Sequence, residues 1–377
     1  MNFETSVIHL AEKPYSDNIW GDVVKSIHLT STYQLQDLEP TGHFYQRYDN
    51  QTREALEKKL AYSEKANYCL VFSSGMAAIT SVIFSIININ CMIAAFDDLY
   101  SVTKKIFNHF LPKYNIVVDY IDFTSDFKIR GDVSLVWLES PTNPLMKMID
   151  VKKVVKRIKE NNPETVVVFD NTFLSPYFYN PLDDGVDIVV HSATKYINGH
   201  SDCMAGAVML NNQQLFEKIR EYRNNFGNAL SPFDSYLVLR GLKTLPLRMR
   251  KHQENCFKII EYLKTKSFVS KILYPALCEK DYISTSVRGF GGTIGFIVDF
   301  DRSQIGQFIS NLKIINHAVS LGGVESLICV PHFSTHKGVE GIPPNLIRLS
   351  VGIENVNDII DDLEQAFAKA SSVQSKV

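Results

Sequence analysis

The sequence lacks the marks of membrane, secreted and nucleic-acid-binding proteins. Its 377 residues contain no apolar run long enough to cross a bilayer. The first residues show no basic segment followed by an apolar stretch, so we expect no signal peptide. The formal net charge of -2 differs from the basic footprint of a nucleic-acid-binding protein. We therefore expect a cytoplasmic protein whose partners include neither membranes nor nucleic acids.

Paired cysteines and metal-binding patterns are also missing. The six cysteines are scattered without a C-x-x-C pair, which is typical of reduced thiols in a cytosolic chain. His332 and His336 have the spacing of a helical zinc motif, but Phe333 replaces the required glutamate, and we expect no metal site. The glycine-rich segment 288–295 lacks the spacing of a dinucleotide-binding turn, which argues against an NAD-linked dehydrogenase.

Short apolar strands alternate with helices over the first two thirds of the chain. The pattern predicts helices at 54–63, 76–87 and 151–161. It predicts strands at 68–72, 91–96, 116–121, 134–138, 166–169 and 188–190. Such alternation is typical of an α/β fold with a mostly parallel central sheet covered on both faces.

The alternation of predicted strands and helices changes after about Leu230. A long helical stretch at 231–263 is interrupted near Pro246, a strand follows at 293–300, and a helix at 356–370 closes the chain. We therefore predict three parts. They are an N-terminal arm at 1–44, a cofactor-binding domain at 45–240 and a smaller C-terminal α/β domain at 241–377.

The strongest chemical signal is a pair of strands that end in polar residues. The segments V-V-V-F-D-N-T at 166–172 and V-V-H-S-A-T-K-Y at 189–196 place Asp170 at one strand end and Lys195 just past another. Open α/β sheets bind ligands at this edge. Pyridoxal 5'-phosphate (PLP) needs both groups, because a lysine amine condenses with its aldehyde and a carboxylate keeps its ring nitrogen protonated. The sequence therefore predicts a PLP site rather than a solvated lysine and a helix cap.

Two further segments could bind the phosphate group. The turn F-S-S-G-M-A-A-I at 72–79 joins a strand to a helix N-terminus, where free N–H groups attract anions. In H-F-Y-Q-R at 43–47, Arg47 is suited to bidentate phosphate binding and Tyr45 to a hydroxyl contact. Taken alone, Arg47 reads better as half of a surface salt bridge. An arm of this kind could instead complete a neighbouring subunit's site.

Two single residues also stand out. Tyr100 follows a predicted strand and could stack on a cofactor ring, although packing alone would explain it equally well. Arg348 lies inside the apolar segment L-I-R-L-S-V-G at 346–352, where an unpaired charge is costly to bury. Arg348 is thus a candidate for binding a substrate carboxylate, with a structural ion pair as the alternative.

Together these segments resemble the Cys/Met-metabolism PLP family, from about residue 5 to residue 370. The family contains cystathionine γ-synthase, cystathionine γ- and β-lyases, methionine γ-lyase and the O-acylhomoserine sulfhydrylases. Its motifs occur here in the family's order: E-S-P-T-N-P at 139–144, D-N-T-F-L-S-P-Y at 170–177, S-A-T-K-Y at 192–196, R-G-L-K-T-L at 240–245 and S-L-G-G-V-E-S-L at 320–327. The resemblance implies the type I, aspartate aminotransferase-like PLP fold and a homotetramer built from two catalytic dimers.

The resemblance also assigns roles to individual residues. Lys195 is the lysine bonded to the cofactor, Asp170 the partner of the ring nitrogen and Tyr100 the stacking residue. The remaining matches are phosphate contacts at Gly75, Met76, Ser192 and Thr194, phosphate contacts given to the adjacent subunit at Tyr45 and Arg47, and substrate-carboxylate or cofactor contacts at Asn143, Ser320 and Arg348.

Departures from the family pattern concern the substrate. The glutamate that γ-lyases and γ-synthases usually carry before the S-L-G-G motif is Val319, as in methionine γ-lyases and some bacterial cystathionine lyases. The segment between His336 and Arg348 is several residues short, and the N-P-T after the phosphate arginine is N-Q-T at 50–52. We expect elimination of a sulfur leaving group from a sulfur amino acid. The alternatives are γ-replacement, cystathionine β-lysis and a PLP-binding oligomer without catalysis.

Overall fold

The structure is a computed structural model that describes residues 1–10, 23–35, 38 and 42–372. The predicted arm at 1–44 therefore lies partly outside the described residues. Within the arm, residues Phe3–His9 form helix α1. The helix is anchored because Val7 is buried and the Phe3 ring lies 5.4 Å from that of Tyr177.

A seven-stranded sheet forms the centre of the larger part of the molecule. Its strands are β1 (Tyr68–Phe72), β2 (Met92–Phe96), β3 (Val117–Ile121), β4 (Val133–Glu139), β5 (Val166–Asp170), β6 (Ile188–His191) and β7 (Gly206–Leu210). The order is β1-β7-β6-β5-β4-β2-β3, and all pairs are parallel except those that β7 makes with β1 and β6. The predicted mostly parallel α/β sheet is confirmed. Strand β7 was missed, because its short G-A-V-M-L run carries little strand propensity.

Helices cover both faces of this sheet. They are α2 (Gln51–Glu64), α3 (Gly75–Ile86), α4 (Ser101–His109), α5 (Val151–Asn161), α6 (Ser175–Phe178), α7 (Gln213–Phe226) and α8 (Pro232–Leu242). Helix α5 has an amphipathic pattern, because Val151, Val154, Val155 and Ile158 form one buried stripe while Lys152, Lys153 and Lys156 are exposed. Among the described residues no helix is both long and apolar enough to cross a membrane.

A second, five-stranded sheet follows in the C-terminal third. Its strands are β8 (Val269–Leu273), β9 (Thr293–Val298), β10 (Asn316–His317), β11 (Leu327–Cys329) and β12 (Leu346–Ser350), in the order β10-β11-β12-β9-β8. Helices α9 (Leu245–Lys264), α10 (Arg302–Ser310) and α11 (Val356–Ser371) pack with it. The helical interruption predicted near Pro246 falls at 243–244, and Pro246 sits in the first turn of α9, where proline is tolerated.

Buried apolar side chains form two separate clusters. The first surrounds the seven-stranded sheet and reaches along the chain to Met249, with Leu321 added from the loop before β11. The second surrounds the five-stranded sheet, where the rings of Phe308 and Phe367 stack at 4.3 Å. The division into domains at residue 240 stays a prediction.

The close approach of β7 to the turn after β1 gives a test of the fold. A Cβ at Gly206 would lie 2.1 Å from the Ser74 carbonyl oxygen, which is backbone and cannot swing away. We expect Gly206→Ala to lower the free energy of unfolding by about 1–3 kcal/mol, as overpacking does. Gly306→Ala is the matched control, because Gly306 lies within α10 with open space around it. The control should gain about 0.5–1 kcal/mol in urea unfolding. Equal stability of the two variants would contradict the packing described.

Candidate active site

The carboxyl ends of the parallel strands and one face of the C-terminal part enclose a cavity of about 260 Å³. Strands β2, β4, β5 and β6 all end at the same edge, so the residues that follow them converge. The predicted site residues in its lining are Gly75, Met76, Tyr100, Asn143, Asp170, Ser192, Thr194, Lys195, Ser320 and Arg348. The structure therefore gathers these residues in one place, and only Tyr45 and Arg47 of the predicted set lie elsewhere.

Lys195 lies in the turn after β6 and extends its amine into the cavity. The turn is held by the Lys195 N–H, which donates to the Ser192 carbonyl at 3.1 Å. The Lys195 Nζ donates to Ser320 Oγ at 2.6 Å. Burial, followed by the positive field of Arg348, lowers the pKa of Lys195 to about 8. A larger fraction of this amine is therefore neutral, and hence nucleophilic, than of an ordinary lysine near neutral pH.

Asp170 ends β5 and faces the same cavity. Its Oδ1 accepts from the Thr172 N–H at 3.0 Å and from the Thr172 hydroxyl at 2.6 Å. Among the described residues, no hydrogen bond to Oδ2 is seen. Burial raises the pKa of Asp170, although the bonds from Thr172 oppose this. A cation placed against the free oxygen would restore the carboxylate form, since an opposite charge nearby favours it.

The turn at Ser74 and Gly75 is shaped to hold an anion. Both residues line the cavity at the N-terminus of α3, whose first N–H groups have no partner within the helix. A Cβ added at Gly75 would lie 2.9 Å from Ser192 Cβ, so only glycine lets the helix start so close to the β6 turn. An anion cradle, a partly neutral amine and a buried acid in one small cavity fit the phosphate, aldehyde and ring nitrogen of PLP.

Arg348 reaches the cavity from β12 of the second sheet. Its guanidinium is buried, and Nη1 donates to Asn143 Oδ1 at 2.9 Å while Nη2 donates to the Ser320 carbonyl at 3.2 Å. Both partners are neutral, so the positive charge of Arg348 is not compensated by them and can pair with an anionic ligand. Ser320 has φ of 103°, a strained value for a residue other than glycine. That backbone places the Ser320 carbonyl against Arg348 and its hydroxyl against Lys195.

Glu139 is a site residue that the sequence reasoning missed. It ends β4 directly beside Asp170 in the strand register and lines the cavity. Its Oε2 accepts from the Tyr100 N–H at 2.9 Å, which fixes the start of α4 and therefore the tyrosine. Burial, together with the nearby Asp170 charge, raises the pKa of Glu139 well above the usual range. The strand-end rule that found Asp170 would also have found Glu139.

Tyr45 and Arg47 do not line the cavity of their own chain. Arg47 Nη1 donates to the Asn224 carbonyl at 2.7 Å, and its guanidinium lies 4.8 Å from the centre of the Tyr48 ring. Tyr45 forms an isolated antiparallel bridge with Thr32. In this arrangement neither residue can therefore act in the cavity of its own chain.

Known proteins with the same architecture identify the family. The family model of the Cys/Met metabolism PLP-dependent enzymes matches residues 4–368. Cystathionine gamma-lyase of Dictyostelium discoideum is 40% identical, with 97% of both sequences covered. Cystathionine beta-lyase of Lactococcus lactis subsp. cremoris (strain MG1363) is 39% identical, over 98% of this chain and 99% of that protein.

A solved structure agrees with these sequence relatives. The crystal structure of cystathionine gamma synthase from Xanthomonas oryzae pv. oryzae, in complex with aminoacrylate and cysteine, is 32% identical and superposes with a TM-score of 0.92. The match covers 99% of this chain and 100% of that one. The resemblance first seen in the motifs is confirmed, and the chain belongs to the Cys/Met metabolism PLP-dependent enzymes, as a PLP-dependent carbon–sulfur lyase of the trans-sulfuration family.

Proposed function

We propose that this enzyme eliminates a sulfur leaving group from the γ carbon of a sulfur amino acid, as cystathionine γ-lyase or methionine γ-lyase does. One water molecule is consumed, and the products are an oxo acid, ammonia and a thiol. The observation that carries the proposal is the composition of the cavity, where Lys195 and Asp170 share the space with a single arginine. The wall beyond them is apolar at Met204, Val319 and Leu321 and suits a thioether side chain.

Residues around the cavity would hold the cofactor. Asp170 would bind the ring nitrogen, Lys195 the aldehyde carbon, and Tyr100 would lie against the ring. Gly75, Met76, Ser192 and Thr194 would bind the phosphate. When bound, PLP supplies an electron sink for the carbanion that forms at the substrate α carbon.

The residues of the chain then handle the protons. The free Lys195 amine would remove the proton from the α carbon, for which its lowered pKa is suited. It would release that proton and then take one from the β carbon, because a sulfur on the γ carbon leaves only with an electron pair from the neighbouring β carbon. Burial raises the pKa of Tyr100, so its hydroxyl stays protonated and can protonate the departing sulfur. The Ser320 hydroxyl keeps the amine of Lys195 directed into the cavity between these transfers.

Substrate orientation depends on Arg348. Its planar fork binds the α-carboxylate, while Asn143 and the Ser320 carbonyl hold the guanidinium in place. This contact fixes the α carbon relative to Lys195 and therefore serves every sulfur amino acid equally. Discrimination between substrates is left to the distal wall around Val319.

A second candidate function is γ-replacement, in which a thiol is joined to an activated homoserine. It is favoured by an open groove of about 820 Å³ that shares Thr194, Met204, Val319 and Ser320 with the cavity. The groove gives an incoming thiol a route, and Asp202 and Glu325 on its wall could attract an amino group. Val319, in place of the family's glutamate, favours elimination.

We further propose a homotetramer of two catalytic dimers, in which Tyr45 and Arg47 complete the neighbouring subunit's phosphate site. The position of both residues outside their own cavity supports this. Among the residues that the structure describes, Arg47 contacts the Asn224 carbonyl and the faces of two tyrosine rings, and its charge meets no anionic partner there.

The shifted amine of Lys195 can be titrated directly. In the folded protein stripped of cofactor, competitive acetylation of Lys195, read by mass spectrometry, should have a midpoint near 8, against 10.5 for an ordinary lysine. Arg348→Gln should raise the midpoint, because a nearby cation disfavours the ammonium form. The denatured chain should return to the ordinary value. A midpoint near 10.5 in the folded protein would show that the amine is solvated.

The carboxylate contact predicts the effect of Arg348→Lys, which keeps the charge and loses the fork. Because a charged hydrogen bond contributes about 1.5–3 kcal/mol, KM for cystathionine should rise about 10- to 100-fold. The turnover number should change much less. Arg250→Lys is the control, since Arg250 is exposed and pairs with Glu4. An unchanged KM in Arg348→Lys would remove the proposed role.

The direction of cleavage follows from the products of cystathionine. We expect 2-oxobutyrate, ammonia and cysteine, whereas pyruvate with homocysteine would show β-elimination. Methionine should give 2-oxobutyrate, ammonia and methanethiol, and O-acylhomoserine with a thiol should give little replacement product. Lys195→Ala should abolish every product together with the visible cofactor absorbance. Replacement as the dominant reaction would overturn the proposal in favour of the second candidate.

A further inference from the structure

We propose that His336 is a positioning residue that couples the loop over the cavity to the carboxylate-binding arginine, by way of Asn143. The loop, here called the cover loop, comprises residues 331–342. The inference rests on the proposed role of Arg348 and extends it to a residue outside the cavity lining. Nothing in the metal-like spacing of His332 and His336 is needed for it.

The first step is the environment of the His336 ring. The side chain is 1% exposed, its Nε2 lies 3.1 Å from the Asn143 carbonyl oxygen and its Nδ1 lies 2.9 Å from Thr335 Oγ1. A carbonyl oxygen only accepts, so Nε2 carries the proton and Nδ1 accepts from the Thr335 hydroxyl. Burial, with the cations Arg348 and Lys104 nearby, lowers the pKa of His336 to about 4, in keeping with a neutral ring.

The second step is the path from this ring to the substrate site. Asn143 receives His336 at its backbone and Arg348 at its side chain, with Oδ1 accepting from Nη1 at 2.9 Å. Arg348 then continues to the Ser320 carbonyl, and the Ser320 hydroxyl to Lys195. A displaced Asn143 would therefore turn the guanidinium away from the carboxylate position.

The third step is the attachment of the cover loop itself. Thr335 lines the cavity, and its carbonyl accepts from the Ser101 hydroxyl at 2.5 Å. His336 N–H donates to the Pro331 carbonyl at 2.8 Å, which closes the turn within the loop. The imidazole is thus the contact that ties the loop to the arginine side of the cavity, whereas Ser101 ties it to the tyrosine side.

His332 provides a matched control in the same loop. Its Nδ1 lies 3.2 Å from the Ile342 carbonyl, so it also contacts a backbone oxygen through an imidazole. That contact stays within the cover loop and does not reach Asn143. Substitution of His332 therefore loosens the loop without breaking the path to Arg348.

The experiment compares His336→Leu with His336→Gln in the holoenzyme. The probes are norleucine, which lacks a sulfur leaving group, and pentylamine, the same molecule without its carboxylate. In His336→Leu we expect the inhibition constant of norleucine and KM for cystathionine to rise about five- to tenfold, the worth of one buried hydrogen bond. The constant for pentylamine should not change. In His336→Gln the amide N–H replaces Nε2–H, so norleucine binding should recover to within about twofold.

Several outcomes would overturn the inference. Equal weakening of norleucine and pentylamine in His336→Leu, or the same norleucine effect in His332→Gln, would show a general loosening of the loop. If His336→Leu loses its visible cofactor absorbance, His336→Asn replaces it in the comparison, because the shorter amide of asparagine cannot reach Asn143. Norleucine that binds His336→Gln no more tightly than His336→Asn would then contradict the coupling. If Arg348→Lys leaves norleucine binding intact, the carboxylate role fails instead. If the His336 variants leave norleucine binding unchanged while Arg348→Lys weakens it, the proposed function stands and this inference is wrong.

Discussion

The site depends on keeping an amine and an acid in one water-poor cavity without letting them neutralise each other. Lys195 Nζ donates to Ser320 and Asp170 accepts from Thr172, so the two groups do not pair with each other. A direct ion pair would hold the amine in its charged, unreactive form and occupy the acid oxygen. Arg348 adds a cation on the lysine side, which lowers the pKa of the amine further. The space kept open between the two groups is the space that the ring of the cofactor requires.

The two sheets divide this task. The seven-stranded sheet presents Tyr100, Asp170 and Lys195 at or after the ends of parallel strands, and Gly75 after β1, whose pairing with β7 is antiparallel. The proposed function assigns the cofactor to these residues, and backbone hydrogen bonds set the spacing of the strands that carry them. The five-stranded sheet supplies Arg348, and the loop before β11 supplies Ser320 and Val319. A substrate that touches Arg348 is therefore held across the junction of two apolar cores. Any relative movement of these parts would change substrate position before it changed cofactor binding.

Sequence reasoning found the residues whose roles follow from local pattern. Asp170, Lys195 and Gly75 stand at strand ends or turns, and Arg348 is conspicuous as a charge within an apolar strand. His336 escaped because its ring contacts Asn143, nearly two hundred positions away in sequence, and Thr335 because its carbonyl accepts from Ser101, which is also distant in sequence. Tyr45 and Arg47 fit the family pattern, yet a single chain gives no contact between them and the cavity. Sequence patterns predict strands and the residues at their ends, but they do not predict which loop packs over those residues.

The difference between strand ends and loops also bears on the choice of reaction, because enzymes with different reactions resemble this chain. A γ-lyase, a β-lyase and a γ-synthase all match nearly the whole chain at 32–40% identity, so overall similarity does not choose among their reactions. Among the cavity residues on loops are Val319, at the apolar wall, and Thr335, in the cover loop. Loops tolerate substitution and shortening at little cost in stability, whereas strand ends do not. We therefore expect the cover loop with His336 and the apolar wall with Val319 to determine which reaction this chain catalyses. The proton transfers by Lys195 are expected to be the same in each reaction.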